Sequence, residues 1–254
     1  MPHIYNAPNL PLAKHAFFGR TGGVSKGIFN SLNFNYKGAD SPQNLSRNLD
    51  IAAAYYGLSG KRIIRLCQNH TSTAIYLNKP SQYEIEADGV VTDKLNLILG
   101  ITTADCIPVL FADYKNGVIG AAHAGWRGAL NGVIKNTVNT MLKHGAKTEN
   151  IIAATGPCLQ KENFFVHDDM RNLFIQQSKD NAIFFTSINN NQYLCDLEQY
   201  VKHQLEKLNI NNISISGIDT YSNESLYFSY RRFCHLKIIK PGGGFGIELS
   251  TICL

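Results

Sequence analysis

The apolar residues of this chain fall into short continuous runs, separated by polar turns and by stretches with helical spacing. The clearest helix is predicted over 196–208, where apolar side chains recur on one face. Helices are also predicted over 44–56, 129–144 and 168–177, and strands over 62–66, 95–102, 108–113, 118–123, 151–154 and 213–218.

Local signals at turns sharpen several of these boundaries. Ser41 and Pro42 are typical of a helix start, and Gly57 of its end. Asn116-Gly117 predicts a hairpin between two apolar strands. Asn189–Asn191 is interpreted as a surface turn, and the tail from Tyr227 as strand-like around Gly242–Gly244. Strands and helices interleave without a regular βαβ rhythm, which predicts an α/β or α+β fold with a mixed sheet in one domain spanning 1–254.

Composition narrows the class of function. The chain is 44% hydrophobic with a net charge of +5, and its lysines and arginines are scattered, so we expect no nucleic-acid partner. A small anionic ligand suits this mild positive charge. No apolar run is long enough to span a bilayer, and the six cysteines form no CxxC pair. We therefore expect a reduced, cytoplasmic protein without a membrane partner, and the oligomeric state stays open.

Three short stretches carry side chains that bind metals well. His70, Cys106 and His123 each stand beside a predicted strand end or turn. Two imidazoles and one thiolate would leave one tetrahedral position of a zinc ion open, as in catalytic rather than structural sites. Taken singly, a buried cysteine usually only packs and a histidine usually only makes hydrogen bonds. Because the three share similar settings, the sequence predicts one zinc per chain at these residues.

Two other cysteines compete for this role. Cys67 lies three residues before His70, a separation that points the two side chains to opposite faces of an extended segment. Cys158 follows Gly156-Pro157 and is interpreted as a pocket residue or as a packing residue.

The motifs that contain these side chains resemble a known family, the multicopper polyphenol oxidase-like proteins, also called the laccase-domain, YfiH-type or peptidoglycan editing factor family. The matching stretches follow the order of the family along nearly the whole chain. They are FFGRTGGVS at 17–25, SLN at 31–33, QNH at 68–70, ADG at 87–89, TTADCIPVL at 102–110, HAGWRG at 123–128, GPC at 156–158 and SYRR at 229–232.

The resemblance implies a single-domain α/β/β/α sandwich with zinc held by His70, Cys106 and His123. It also implies purine nucleoside chemistry, namely phosphorolysis of adenosine, inosine, guanosine and methylthioadenosine, together with deamination of adenosine. The expected partners are therefore purine nucleosides and phosphate.

Two departures from the family pattern bear on the pocket. Thr71 stands where the family usually has glycine, and Phe233-Cys234-His235 replaces the usual Asp-Gly-x-Thr-Gly-Arg tail. The oxidase name itself conflicts with the residues, because a multicopper laccase needs about ten histidines, largely in His-x-His pairs. This chain has eight histidines and no such pair, so copper remains an alternative metal only outside laccase chemistry.

Candidate roles follow for residues around the metal. An open zinc lowers the pKa of bound water, and deamination then needs a carboxylate to carry a proton. Asp105, beside Cys106 and His123, is the candidate carrier, with anchoring of its turn as the alternative. Phosphorolysis needs an anion site, for which Arg127 at a helix start is the first candidate.

Further residues carry open assignments. Arg20 and Arg231 are also candidate phosphate ligands, and for all three arginines the alternative is a structural ion pair. For Arg232 the structural role is preferred. Trp126 is a candidate for purine stacking or for the core.

Two rival functions use the same residues. Cys106 and His123 also form a plausible metal-free Cys–His dyad for a hydrolase or amidase that edits cell-wall precursors. A non-catalytic binder of nucleotide-linked cell-wall precursors is the third reading, and it predicts tight binding without turnover. Metal content and turnover separate the three.

Overall fold

Two mixed β-sheets stack face to face in a computed structural model that describes residues 1–80, 85–237 and 244–254. The strands are β1 Ile4–Tyr5, β2 His15–Phe18, β3 Ile63–Ile64, β4 Leu66–Cys67, β5 Ala74–Tyr76, β6 Ile85–Glu86, β7 Gly89–Thr92, β8 Ile98–Thr103, β9 Ile107–Asp113, β10 Val118–Ala124, β11 Ile152–Thr155, β12 Phe165–His167, β13 Phe185–Asn189, β14 Gln192–Cys195, β15 Asn212–Ser214 and β16 Glu248–Cys253. The α-helices are α1 Pro42–Ala54, α2 Trp126–Asn131, α3 Val133–Lys143, α4 Asp168–Gln177, α5 Leu197–Lys207 and α6 Tyr230–His235.

The first sheet has the strand order β1-β2-β16-β8-β3 and the second has β15-β11-β9-β10-β7-β5. Most neighbours are antiparallel, but β3 runs parallel to β8, β5 to β7 and β15 to β11. A three-stranded sheet, β12-β14-β13, and the pair β4-β6 complete the described strands. Both large sheets are therefore mixed, as the sequence predicts.

The alternation of side chains in the central strands builds two cores. In β10, Ile119 and Ala121 face the layer between the sheets, whereas Val118 and Ala122 face the helices. All seven residues of β10 and of β9 are buried, because both faces of the second sheet are covered. This explains why these strands appear in the sequence as continuous apolar runs.

Helices cover the outer faces. Ala52 and Ala53 of α1 pack with Phe18, Ile98 and Leu249 of the first sheet. The second sheet packs against apolar residues of α3 and α5. The order of layers is thus helix, sheet, sheet, helix, and the α/β/β/α sandwich implied by the family resemblance is confirmed.

Several predicted elements are confirmed. Helix α4 has the predicted bounds, and α5 is capped by Asp196, whose side chain accepts a hydrogen bond from the Gln199 backbone N–H. Strands β9 and β10 form the predicted hairpin, with Val118 paired to Asp113. The hairpin between β13 and β14 contains the predicted asparagine turn.

Other predictions need correction. The helix predicted over 129–144 begins earlier and breaks at Gly132, whose φ of +95° is incompatible with a continuous helix. The tail from Tyr227 first forms a helix, α6, because the Ser229 side chain accepts a hydrogen bond from the Arg232 backbone N–H. Gly242 and Gly243 lie outside the described residues.

Candidate functional site

His70, Cys106 and His123 come together at one end of the layer between the sheets. His123 continues the inward row of β10, Cys106 lies in the turn from β8 to β9, and His70 follows β4. Their ligand atoms all lie within 4.8 Å of one another, and Cys106 Sγ is 3.8 Å from His70 Nε2. The structure therefore brings together the three predicted metal ligands.

Asp88 organises this cluster from below. The side chain of this residue is fully buried, and its Oδ1 accepts hydrogen bonds from His123 Nδ1 at 2.7 Å and from the His70 backbone N–H at 3.1 Å. Its Oδ2 accepts from the Thr71 backbone N–H and hydroxyl, both at 2.7 Å. A carboxylate bonded to one imidazole nitrogen fixes the tautomer and leaves the other nitrogen free to bind a metal. Asp88 thus directs His123 Nε2 toward the cluster.

Hydrogen bonding keeps the Asp88 carboxylate ionised. Burial by itself raises the pKa of Asp88, but the bonds from His123 and Thr71 outweigh it and lower the pKa to about 2. Thr71, which departs from the family pattern, therefore donates hydrogen bonds to Asp88. It does not line the cavity that opens beside the cluster of His70, Cys106 and His123.

Gly125 leaves the space in which the ligands meet. A Cβ atom at this position would lie 2.6 Å from His70 Cδ2 and 3.1 Å from Cys106 Sγ. The φ of Gly125 is −66°, so its requirement is for space and not for unusual backbone geometry. The HAGWRG motif thus places a glycine where any side chain would displace two ligands.

The donor set fits a divalent metal such as zinc. Three ligand atoms around a tetrahedral zinc lie roughly 3.3–3.7 Å apart, given metal–ligand bonds of about 2.0–2.3 Å. The three side chains, with ligand atoms 3.8 Å to at most 4.8 Å apart, would move slightly closer together around such an ion. In the metal-free protein, burial opposes ionisation of Cys106, but His123 and His70 lower the pKa of the thiol to about 6. Burial likewise opposes protonation of His123, whereas Cys106 and Asp88 raise its pKa. The thiol thus ionises readily, which both metal binding and nucleophilic attack require.

A cavity of about 340 Å³ opens beside the cluster. Its lining residues are Phe34, Asn35, Tyr36, Lys37, Gln68, His70, Thr102, Thr103, Ala104, Cys106, His123, Tyr230, Phe245 and Ile247. The lining combines the three candidate metal ligands with an aromatic wall formed by Phe34, Tyr36, Tyr230 and Phe245. This volume suits a small organic ligand.

Asp105 lies next to Cys106 in the chain but does not line this cavity. Its Oδ1 accepts a hydrogen bond from Thr220 Oγ1 and its Oδ2 accepts one from the Arg231 backbone N–H, each at 2.6 Å. Burial raises the pKa of the Asp105 carboxyl above its usual value despite these bonds. These contacts favour the anchoring role, and the proton-carrier role stays a prediction.

None of the three predicted phosphate-binding arginines lines the cavity that contains the metal ligands. Arg20 donates to the carbonyl oxygens of Asn30 and Glu224 and lines a separate cavity of about 270 Å³. Arg127 is exposed and lies 4.2 Å over the Trp126 ring. Arg231 donates to the carbonyl oxygen of Asn163. Their roles in binding phosphate remain predictions.

Neighbouring assignments are clearer. Arg232 donates to the backbone carbonyl oxygens of Thr220, Tyr221 and Tyr227, which confirms its structural role. Cys158 is fully buried in the core between the second sheet and the helices and does not line the cavity. Cys67 is not part of the metal-ligand cluster.

The roles of Asp88 and of the aromatic wall are not evident from the sequence. Asp88 stands in the ADG motif, but nothing in its neighbours along the chain indicates that its carboxylate reaches His123. Phe34, Tyr36 and Phe245 carried no such signal, because aromatic residues are equally typical of the core.

None of the helices in the described part of the chain combines the length and apolar character of a membrane span.

Proteins of similar sequence include two purine nucleoside phosphorylases that match most of this chain. A purine nucleoside phosphorylase of Rickettsia prowazekii is 35% identical over 192 residues, which cover 75% of this chain and 78% of the relative. A purine nucleoside phosphorylase of Deinococcus radiodurans is 34% identical over 229 residues, covering 90% and 87% respectively.

Solved structures extend the agreement to the fold. The crystal structure of a Neisseria meningitidis protein is 29% identical with a TM-score of 0.87, covering 99% of this chain and 98% of that one. YlmD from Geobacillus stearothermophilus is 25% identical, also with a TM-score of 0.87, over 97% and 93%. Residues 14–241 match the family model described as multi-copper polyphenol oxidoreductase laccase, and the chain therefore belongs to this family.

Proposed function

We propose that the protein is a zinc-dependent purine nucleoside enzyme that cleaves adenosine, inosine, guanosine and methylthioadenosine with phosphate and also deaminates adenosine. The observation that carries this proposal is the cluster of His70, Cys106 and His123 in the wall of a nucleoside-sized cavity. Support comes from relatives of similar length that are named purine nucleoside phosphorylases.

The aromatic wall suits a purine base. Phe34, Tyr36, Tyr230 and Phe245 face the same cavity, and flat aromatic rings stack favourably on bases. Trp126, the earlier candidate for stacking, does not line this cavity and packs against the core. We therefore assign base binding to the wall formed by residues 34–36, 230 and 245.

The protein residues would divide the chemistry as follows. His70, Cys106 and His123 would hold zinc, which supplies a Lewis acid to polarise a substrate oxygen or water. Asp88 holds His123 in the orientation for binding. In phosphorolysis a phosphate oxygen forms a bond to C1′ of the ribose while the bond from C1′ to the purine nitrogen breaks, and the departing base takes up a proton.

The test is to incubate zinc-loaded protein with adenosine, with and without phosphate, and to identify the products by chromatography. We expect adenine and ribose 1-phosphate only with phosphate, inosine without it, and neither product from the matched Cys106→Ala variant. Unchanged adenosine under both conditions would reject the proposal.

A second candidate uses the same thiol without metal. Cys106 is half-buried and lines the cavity, and His123, its predicted partner in the Cys–His dyad, lies in the same cluster within 4.8 Å. This hydrolase or amidase would keep its activity after removal of metal and lose it on alkylation with iodoacetamide. The nucleoside enzyme would instead lose activity with the metal, and bound zinc would protect Cys106 from alkylation.

A further inference from the structure

One lysine, Lys37, lines the cavity beside the metal-ligand cluster, and no role has been given to it so far. Of the lysines and arginines that the structure describes, Lys37 alone lines this cavity. The proposed phosphate-dependent reaction needs a cation for its anionic co-substrate. Arg20, Arg127 and Arg231 do not line the cavity, so Lys37 is the candidate that the geometry leaves.

The backbone around Lys37 is held firmly at the cavity. The Lys37 backbone N–H donates to Asn35 Oδ1 at 3.1 Å, and Asn35 Nδ2 donates to the Phe245 carbonyl oxygen at 2.7 Å. Asn35 N–H donates in turn to Asn33 Oδ1 at 3.0 Å. These three hydrogen bonds fix the loop from which the Lys37 side chain extends.

The ammonium group has capacity for an anion. Its described hydrogen bond is to Cys67 Sγ at 3.3 Å, and sulfur is a weak acceptor. Within residues 1–80, 85–237 and 244–254, no carboxylate forms an ion pair with Lys37. An ammonium group has three donors, so hydrogen-bonding capacity remains for a ligand.

A second cation, Arg65, lies near the same cavity-lining tyrosine as Lys37, although Arg65 itself does not line the cavity. Lys37 Nζ is 5.9 Å from the centre of the Tyr36 ring, and the Arg65 guanidinium is 5.3 Å from it. Both side chains are exposed, so an incoming anion would meet two positive charges around one cavity-lining tyrosine.

We infer that Lys37 binds the phosphate anion in this cavity, with inorganic phosphate as the ligand and Arg65 strengthening the local positive field. The inference rests on the proposed phosphorolysis and deepens it, since it assigns the co-substrate to a residue outside the metal cluster. A phosphate group of a nucleotide has the same chemistry, and the experiment separates the two sources.

The experiment measures steady-state phosphorolysis by the zinc-loaded wild type, Lys37→Gln, Lys37→Arg and the control Lys135→Gln, whose lysine is exposed in α3. Lys37→Gln should raise KM for phosphate about tenfold or more, as expected for loss of a charge-assisted hydrogen bond. KM for adenosine should change less than about twofold, because the aromatic wall is intact. Lys37→Arg should retain most of the phosphate affinity, since it keeps the charge.

Other outcomes count against the inference in distinct ways. An unchanged KM for phosphate in Lys37→Gln, with active wild type, would overturn it while the proposed function stands. Inhibition of the wild type and of Lys37→Gln by AMP is measured in the same assay. If Lys37→Gln loses this inhibition while its KM for phosphate is unchanged, Lys37 binds the phosphate group of a nucleotide, and the choice of inorganic phosphate is overturned.

If the wild type forms no ribose 1-phosphate, the proposed function fails by itself. Calorimetric titration of wild type and Lys37→Gln with inorganic phosphate then decides the inference. Tighter binding to wild type supports it, and equal binding or no binding to both rejects it.

Discussion

Asp88 shows how one buried carboxylate can control several ligands. It accepts hydrogen bonds from the side chain of His123 and from the backbone of His70, so both histidines depend on its charge. An asparagine at this position would direct an amide N–H group at donors, such as the Thr71 N–H or His123 Nδ1, that now donate to a carboxylate oxygen. The geometry of the candidate metal cluster thus depends on a residue that is not itself a predicted ligand.

We expect Asp88→Asn to lower zinc affinity about 10–100-fold, the usual cost of losing the partner that orients a ligating histidine. Competition with a zinc-binding dye measures this. Asp93→Asn is the matched control, because Asp93 bonds Tyr76 and Lys94 away from the cluster. Equal affinities for wild type and Asp88→Asn would contradict the assigned role.

Asp105 has two candidate roles, as an anchor of its turn and as a proton carrier. As an anchor it holds Thr220 and the start of α6, and an amide nitrogen would face the Arg231 N–H or the Thr220 hydroxyl. We expect Asp105→Asn to lower the melting temperature by about 3–10 °C, which corresponds to about 1–3 kcal/mol for a lost buried hydrogen bond. Differential scanning calorimetry measures this.

Enzyme kinetics on the same variant test the other role. A lost proton carrier would lower kcat for deamination about 10²–10⁴-fold. Such a loss at an unchanged melting temperature would establish Asp105 as the carrier and refute anchoring.

At the scale of elements, the turn from β10 into α2 is shaped by the cluster. Gly125 precedes α2 and faces two ligands with no side chain of its own. The helix can therefore begin at Trp126, with only Gly125 between it and the end of β10, without displacing His70.

Gly125→Ala should lower zinc affinity on the order of tenfold or more, because its Cβ would push His70 and Cys106 apart. Zinc titration followed by dye competition provides the measurement. Gly120→Ala in β10 is the control, since its Cβ would press mainly on the flexible Met141 side chain, 3.0 Å from its sulfur. A similar affinity in both variants would exclude a specific role for Gly125.

The elements also show what the sequence could predict. The hairpin of β9 and β10 follows from Asn116-Gly117 between apolar runs, and α5 from its apolar face. Such signals lie within a few neighbouring residues. The break in the helix at Gly132 was missed, because a glycine inside a helical pattern is often tolerated.

The whole molecule joins ligands from separate layers. His70 follows a strand of the small β4-β6 pair, Cys106 connects the first sheet to the second, and His123 belongs to the second sheet. A metal bound to all three would cross-link these parts of the folded chain and would bind the unfolded chain less well.

Zinc should therefore raise the melting temperature of the wild type by about 10 °C when free zinc exceeds its Kd about a thousandfold. Thermal unfolding with zinc and with a chelator measures this shift. Cys106→Ala should show a much smaller shift. Identical melting curves with and without zinc would rule out a metal that bridges the layers.

Contacts between residues far apart in the sequence form much of the site, and these contacts could not be predicted from the sequence. The cluster of His70, Cys106 and His123 was predictable because the metal-binding chemistry of histidine and cysteine is evident from the residue type alone. The cavity wall was not, since Asn35 meets Phe245 across 210 residues of sequence. No local sequence pattern predicts that contact. It also positions Lys37, because the Lys37 backbone N–H donates to the same Asn35 side chain.

The two walls of the cavity come from different parts of the chain. The candidate ligands lie between residues 70 and 123, whereas the aromatic wall and its neighbours are contributed by residues 34–37, 230, 245 and 247. Replacement of the aromatic residues would leave Asp88 and its histidines in place. Substitutions in the aromatic wall would therefore change which substrate the cavity accepts without moving His70, Cys106 or His123, so substrate choice and metal binding are set by separate parts of this chain.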